Sequence, residues 1–124
     1  MGRIALVVDD SMLIRHTVCR FLEERGFEVH SATNGVEAWA LLQELRPDMI
    51  VTDLNMPKMS GTELVTAIKG VPALASTPIV VLAARRTASD PEQMDERADF
   101  VVHKDIDIED QLLLAVTAIF TAAK

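Results

Sequence analysis

Apolar residues along this chain follow two rhythms that take turns. Arg3 to Val8 is a short run rich in β-branched residues, as expected of a strand buried on both faces. From Ser11 the spacing changes. Ile14, Val18, Phe21 and Leu22 fall at i, i+4, i+7 and i+8, one face of a helix, which Asp10 or Ser11 can cap and Gly26 ends. Phe27 to Ser31 predicts a second, weaker strand whose one-sided pattern suits a sheet edge. Thr33-Asn34-Gly35 reads as a turn and cap. Ala38, Leu41, Leu42 and Leu45 then mark a second helix, stopped before Pro47. Met49 to Thr52 predicts a third strand. A third helix follows over about Gly61 to Lys69, with Leu64, Val65 and Ile68 apolar. Residues 70–78 form a long connection with two prolines, and Ile79 to Leu82 is a fourth strand, apolar throughout.

The stretch from Ala84 to Ala98 breaks the pattern. Asp90 can cap a helix with Pro91 at its first position, but Glu92 to Arg97 is so polar that this helix is expected to be short or poorly buried. Phe100 to His103 predicts the fifth strand. Asp107 is expected to cap a last helix, with Asp110 three positions on in a pair like a capping box. Leu112, Val116, Ile119 and Ala123 supply that helix's inner stripe. Strand and helix thus alternate five times, with connections long enough for right-handed crossovers. The fold class expected is α/β: a doubly wound five-stranded parallel sheet with helices on both faces, built as one domain over residues 1–124 without repeats or linkers.

Composition changes this picture little. At 124 residues, about half of them apolar, the chain is long enough to bury a core without staples. The single cysteine, Cys19, has no partner for an internal disulfide and reads as inert packing in a reducing cytosol. A net charge of −7 with no basic stripe argues against direct contact with nucleic acid. No run approaches the roughly 20 apolar residues of a membrane span, and the N-terminus lacks the pattern of a signal peptide. The expectation is a soluble cytoplasmic protein that makes no membrane contact.

The chemistry gathers at strand ends. Asp9-Asp10 follows the first apolar run, Asp53 ends the third, and Lys104 follows the fifth. In an open α/β sheet, ligands bind outside the carboxyl ends of the strands, near the switch in strand order. Phosphate-binding folds put glycines after the first strand; here that position is doubly acidic and would repel an anion unless a cation intervened. Crowded carboxylates repel each other, which raises a pKa or recruits a metal, and hard oxygen ligands favour Mg²⁺, which also takes phosphate oxygens. Lys104 can neutralise a phosphoryl oxygen as a point charge. A metal and an ammonium around one carboxylate make an arrangement for phosphoryl transfer, with the carboxylate as nucleophile and an acyl phosphate as product.

Asp9-Asp10, the run Asp53-Leu-Asn-Met-Pro-Lys-Met-Ser-Gly61 and Lys104, at these spacings, resemble the receiver domain of bacterial two-component response regulators. The likeness covers essentially the whole chain. It implies a flavodoxin-like sheet of order 2-1-3-4-5, with Asp53 as the phosphoacceptor for a histidine kinase, a phosphotransfer protein or a small phosphodonor. It also implies Mg²⁺ held by Asp9, Asp10, Asp53 and the backbone carbonyl of Asn55, with Asp10 the more direct ligand of the first pair. Lys104 would contact the phosphoryl group, and Pro57 and Gly61 would shape the loop. Phosphorylation would switch a surface of the fourth and fifth elements toward a downstream protein or output domain, without enzymatic turnover. Three positions depart from the family. Ala83 stands where a Ser or Thr hydroxyl usually ends strand four, Val101 where strand five often has an aromatic, and Asp105 where proline usually follows the lysine. Thr87 would replace the missing hydroxyl only if its loop rearranged.

Plainer explanations compete. Asp10 and Ser11 are good helix caps, Asp53 could be a turn acid, and Lys104 alone would be a solvated lysine. A cap explains one acid, though, not a pair with a third at Asp53. His16, His30 and His103 lack metal-ligand spacing and read as structural or surface residues. The methionines fill gaps, and Trp39, one position past the inner stripe, is expected to be half-buried. Leu112-Leu113-Leu114 cannot all face the sheet. With Phe120 they give the last helix surplus apolar surface, either covered by its neighbours or used as a partner or homodimer face. Three functions follow: a phosphorylatable receiver; a pseudo-receiver that binds partners regardless of phosphate; and an aspartyl-nucleophile phosphatase, which the missing Asp-x-Asp pattern and cap insert disfavour.

Overall fold

The computed structural model describes residues 3–54, 61–83, 98–104 and 107–121. Asn55, Pro57, Thr87, Asp105, Ala123 and the helix expected after Ala84 lie outside the described residues. The strands are β1 (Ile4–Val8), β2 (Glu28–Ala32), β3 (Met49–Asp53), β4 (Ile79–Ala83) and β5 (Phe100–His103). They pair in parallel in the order β2-β1-β3-β4-β5. The described helices are α1 (Met12–Glu24), α2 (Gly35–Leu42), α3 (Gly61–Lys69) and α4 (Ile108–Thr121).

The strands alternate faces, and two cores result. Ala5, Val7, Met49, Val51, Val80, Leu82 and Val102 face one side, where Val18, Phe21 and Leu22 of α1 and Leu112 and Ala115 of α4 cover them. Leu6, Val8, Ile50, Ile79 and Val81 face the other, under Ala38 and Leu42 of α2 and Leu64, Val65 and Ile68 of α3. The three central strands are therefore apolar at nearly every position. Trp39 is half-buried against the second layer, as expected.

Each helix end has a local cause. Ser11 Oγ accepts the Ile14 N–H of α1, so serine rather than Asp10 is the cap. Gly26, at φ +89°, ends that helix, with Gly26 N–H donating to Glu23 O and Phe27 N–H to Leu22 O, the paired bonds of a Schellman close. Asn34 Oδ1 accepts from Glu37 N–H, while Glu37 Oε1 accepts from Thr33 N–H, a reciprocal cap on α2. That helix closes at Leu42, earlier than the apolar pattern suggests. A turn through Gln43 and Glu44, with N–H groups reaching back three residues, carries Leu45. Asp107 precedes α4 and its carbonyl accepts from Gln111 N–H. Its backbone is left-handed at φ +44°, unlike the extended caps of α1 and α2, and aspartate tolerates that region better than most residues.

Two aspartates set the strand register from the edge far from the acidic strand ends. Asp48 Oδ2 accepts the Ile4 N–H at 2.8 Å while Asp48 N–H donates to Ile4 O, and Asp99 does the same for Ile79. The long connection is tied by Lys69 Nζ, which donates to Ala75 O, and by buried Leu74. The edge strand β2 carries Glu28 and His30, paired at 2.8 Å. Near the same end Arg3 stacks on Phe120, which packs against Phe27. Leu113 and Leu114 lie exposed on α4, while Val116, Ile119 and Phe120 lie half-buried against the first layer.

Leu6 has no exposed surface and Leu114 is 72% exposed. Leu6→Ala is expected to lower unfolding stability by about 2–5 kcal/mol. Leu114→Ala should change it by no more than about 0.5 kcal/mol. Urea midpoints of the two variants check this contrast.

Candidate functional site

The strand order brings together groups that lie far apart in sequence. β1 and β3 are neighbours, so Asp9 and Asp53 emerge side by side. Continuing the two-residue step of each strand puts both on the face of Val7 and Val51. Asp9 is still held to the sheet by its N–H, which donates to Ala32 O at 3.1 Å. Its carbonyl accepts from Arg15 Nη1, and its Oδ1 accepts from Ser11 N–H at 2.8 Å. The start of α1 therefore orients this carboxylate. Asp53 is the last residue of β3, and its carbonyl accepts from the Thr52 hydroxyl.

Lys104 reaches both acids. Its N–H donates to Ala83 O at 2.8 Å, which fixes its backbone at the end of β4. Its stem then crosses the end of β4, where Ala83 offers only a methyl group. The ammonium comes to rest 2.8 Å from Asp9 Oδ2 and 3.0 Å from Asp53 Oδ2. Burial by itself would pull the Lys104 ammonium below the usual lysine range. The adjoining Asp9 and Asp53 carboxylates outweigh that and hold it above the range.

Asp9 is fully buried and Asp53 nearly so, while Asp10 is exposed. The plainer explanation of Asp53 as a turn acid does not hold: only 8% of its side chain is open, and its Oδ2 pairs with Lys104. One carboxylate oxygen from each of Asp9, Asp10 and Asp53 lies within 4.8 Å of the others. Asp9 Oδ2, though ion-paired, has no well-directed hydrogen bond. A buried, incompletely satisfied carboxylate oxygen beside two more carboxylates is a donor set that fits a hard divalent cation.

The other expected residues fall elsewhere. Ala83 is buried at the end of β4, and Val101 is half-buried in β5. Cys19 lies in α1, away from the acids. Burial, helped by Glu23 and opposed by Arg15, pushes its thiol up, in keeping with an inert role. His30 pairs with Glu28 on the edge. One contact was missed from sequence. Gln111, in the first turns of α4, holds both backbone groups of His103, the residue before Lys104. A glutamine on a helix reads as a solvated residue, and no spacing pattern distinguishes this one.

Comparison with known proteins agrees with this geometry. The family model described as response regulator receiver domain matches residues 5–117. The transcriptional regulatory protein PrrA of Mycobacterium leprae is 41% identical over 85 residues, covering 68% of this chain and 36% of its own. The response regulator MprA of Mycobacterium tuberculosis is 34% identical over 120 residues, covering 96% of this chain and 51% of its own. The chain thus spans about half or less of the length of the curated relatives it matches. The structure of the chemotaxis response regulator CheY4 of Vibrio cholerae superposes with a TM-score of 0.83 at 32% identity, covering 96% of this chain and 99% of that one. With paired acids, a lone acid and a lysine at the ends of a 2-1-3-4-5 sheet, this chain belongs to the response regulator receiver domain family.

Proposed function

We propose that this receiver domain takes up a phosphoryl group on Asp53 in a Mg²⁺-dependent reaction. The observation that carries the reading is the Lys104 ammonium, within 3.0 Å of both Asp53 and Asp9. An Asp53 carboxylate oxygen attacks phosphorus and a new O–P bond forms. The bond from phosphorus to the donor's nitrogen or oxygen breaks, and its electron pair leaves with that atom. The donor is the phosphohistidine of a histidine kinase, a phosphotransfer protein or a small acyl phosphate. Lys104 stands where it can neutralise a phosphoryl oxygen, and Ser11 N–H keeps Asp9 turned toward the site. Asp9, Asp10 and Asp53 would hold Mg²⁺, which supplies positive charge to the transferring phosphoryl oxygens. The Asn55 carbonyl expected to join them lies outside the described residues.

The acyl phosphate is a switch rather than a turnover product. It places about two negative charges beside Lys104 where the carboxylate had one, and biases an existing equilibrium toward the form that a downstream protein or output domain recognises. Ala83 supplies no hydroxyl to the phosphoryl group, so the relay in this chain leans on Lys104 and the end of β5. The alternative, a module that binds partners regardless of phosphate, rests on Ala83, Val101 and Asp105, and the relatives described above lend it no support. No described helix is long and apolar enough to cross a membrane, and we place the protein in the cytoplasm with its kinase.

Acetyl phosphate with Mg²⁺ should label the wild-type protein, seen as a mobility shift on a phosphate-binding gel. Chelation of Mg²⁺, Asp53→Asn and Asp53→Ala should each abolish the label. Equal labelling of wild type and both variants would overturn the reading. Lys104→Met leaves a buried Asp9 carboxylate without its ammonium and is expected to lower stability by about 3 kcal/mol without metal. Millimolar Mg²⁺ should recover part of that loss. Thermal melts with and without Mg²⁺ measure it.

A further inference from the structure

We propose that Thr52 is a positioning residue for the chemistry at Asp53, its hydroxyl fixing the peptide through which the phosphoacceptor leaves β3. The inference rests on the phosphoacceptor reading above. Among the described residues of the five strands, Thr52 is the one uncharged polar side chain that is fully buried. Its register partners are Val8 on β1 and Val81 on β4, both fully buried. Those two valines and Ile50 belong to the apolar layer under α2 and α3. Thr and Val have nearly the same shape, so a valine at 52 would continue that layer with no hydroxyl to desolvate.

The hydroxyl has a use. Thr52 Oγ1 donates to Asp53 O at 2.9 Å, in a buried contact. That carbonyl belongs to the planar peptide between Asp53 and Leu54, so the bond restrains ψ of Asp53. β3 holds the same residue from its N-terminal side. With both sides of its Cα held, the direction in which Asp53 sends its carboxylate is set. The 3.0 Å contact with the Lys104 ammonium depends on that direction. Asp9 is held alike, its carbonyl accepting from Arg15 Nη1 at 2.9 Å. Each buried acid of the site thus has a side chain on its own main-chain carbonyl, where its strand runs out. The Thr52 side chain points to the other face of the sheet from Asp53, so its influence passes through the main chain.

The test is the rate of labelling by acetyl phosphate at saturating Mg²⁺, together with calorimetric Mg²⁺ affinity and thermal melts. Thr52→Val keeps the shape and removes the bond. It is expected to melt within a few degrees of wild type yet to label roughly three- to tenfold more slowly, the weight of one ordinary hydrogen bond. Its Mg²⁺ affinity should fall as well, since the displaced carboxylate is one of the three that would hold the ion. Thr52→Ser keeps the hydroxyl and loses a buried methyl group. It should melt lower than wild type and label at close to the wild-type rate. Stability and chemistry then rank the two variants in opposite orders, which a hydroxyl that merely fills the core would not produce. Thr52→Ala also lacks the hydroxyl and takes the place of valine if that variant does not fold. A wild-type labelling rate without the hydroxyl, or a serine variant slowed as much as valine, would overturn the proposal alone. Failure of the wild type to label would overturn the phosphoacceptor reading, and the proposal with it.

Discussion

The ammonium of Lys104 is the charge on which the carboxyl end of this sheet depends. Three carboxylates converge there, and two of them are buried. Unit charges 4 Å apart interact by about 4 kcal/mol at an effective dielectric of about 20. Repulsion of that size exceeds the roughly 1.5–3 kcal/mol gained by burying one leucine side chain. A single ammonium contacting both buried carboxylates removes most of it and leaves Asp10 to water. Among the described residues one ammonium contacts two of the three carboxylates, an incomplete balance that makes the place attractive to a divalent cation.

Strand alternation supplies the frame. Each central strand feeds two cores at once, so neither β1 nor β3 can slip by one residue without turning a buried set toward the wrong helices. The aspartates at the opposite end, Asp48 and Asp99, pin that register by closing reciprocal bonds with Ile4 and Ile79. Precision at the acidic end is therefore inherited from contacts a whole strand length away.

Much of this was legible in the residues. Unbroken apolar runs gave the central strands, Gly26 and Ser11 bounded α1, and the acids and lysine at strand ends located the site, because an α/β sheet gathers those ends whatever their separation in sequence. Other features were not legible, for physical reasons. Leu45 continues the apolar face of α2, yet that helix closes at Leu42 because tighter turn bonds take over. Asp53 could have been a turn acid; its burial and its pairing with Lys104, which starts two strands away, are decided only by the packed structure. Asp48 and Asp99 are ordinary polar residues whose roles come from partners distant in sequence, and Gln111 reaches back across the junction of β5 and α4 to His103.

The two borders of the sheet are guarded in different ways. Along β2, Glu28 and His30 line the outer strand with polar, partly charged groups, and such an edge is a poor template for the strand of another molecule. Along β5, the Gln111 amide already occupies the backbone at His103. Lengthening this sheet by recruiting foreign backbone is thus disfavoured at one border and obstructed at His103 on the other. What this sheet leaves open to other molecules is the surface of its helices and loops, built of side chains rather than main chain.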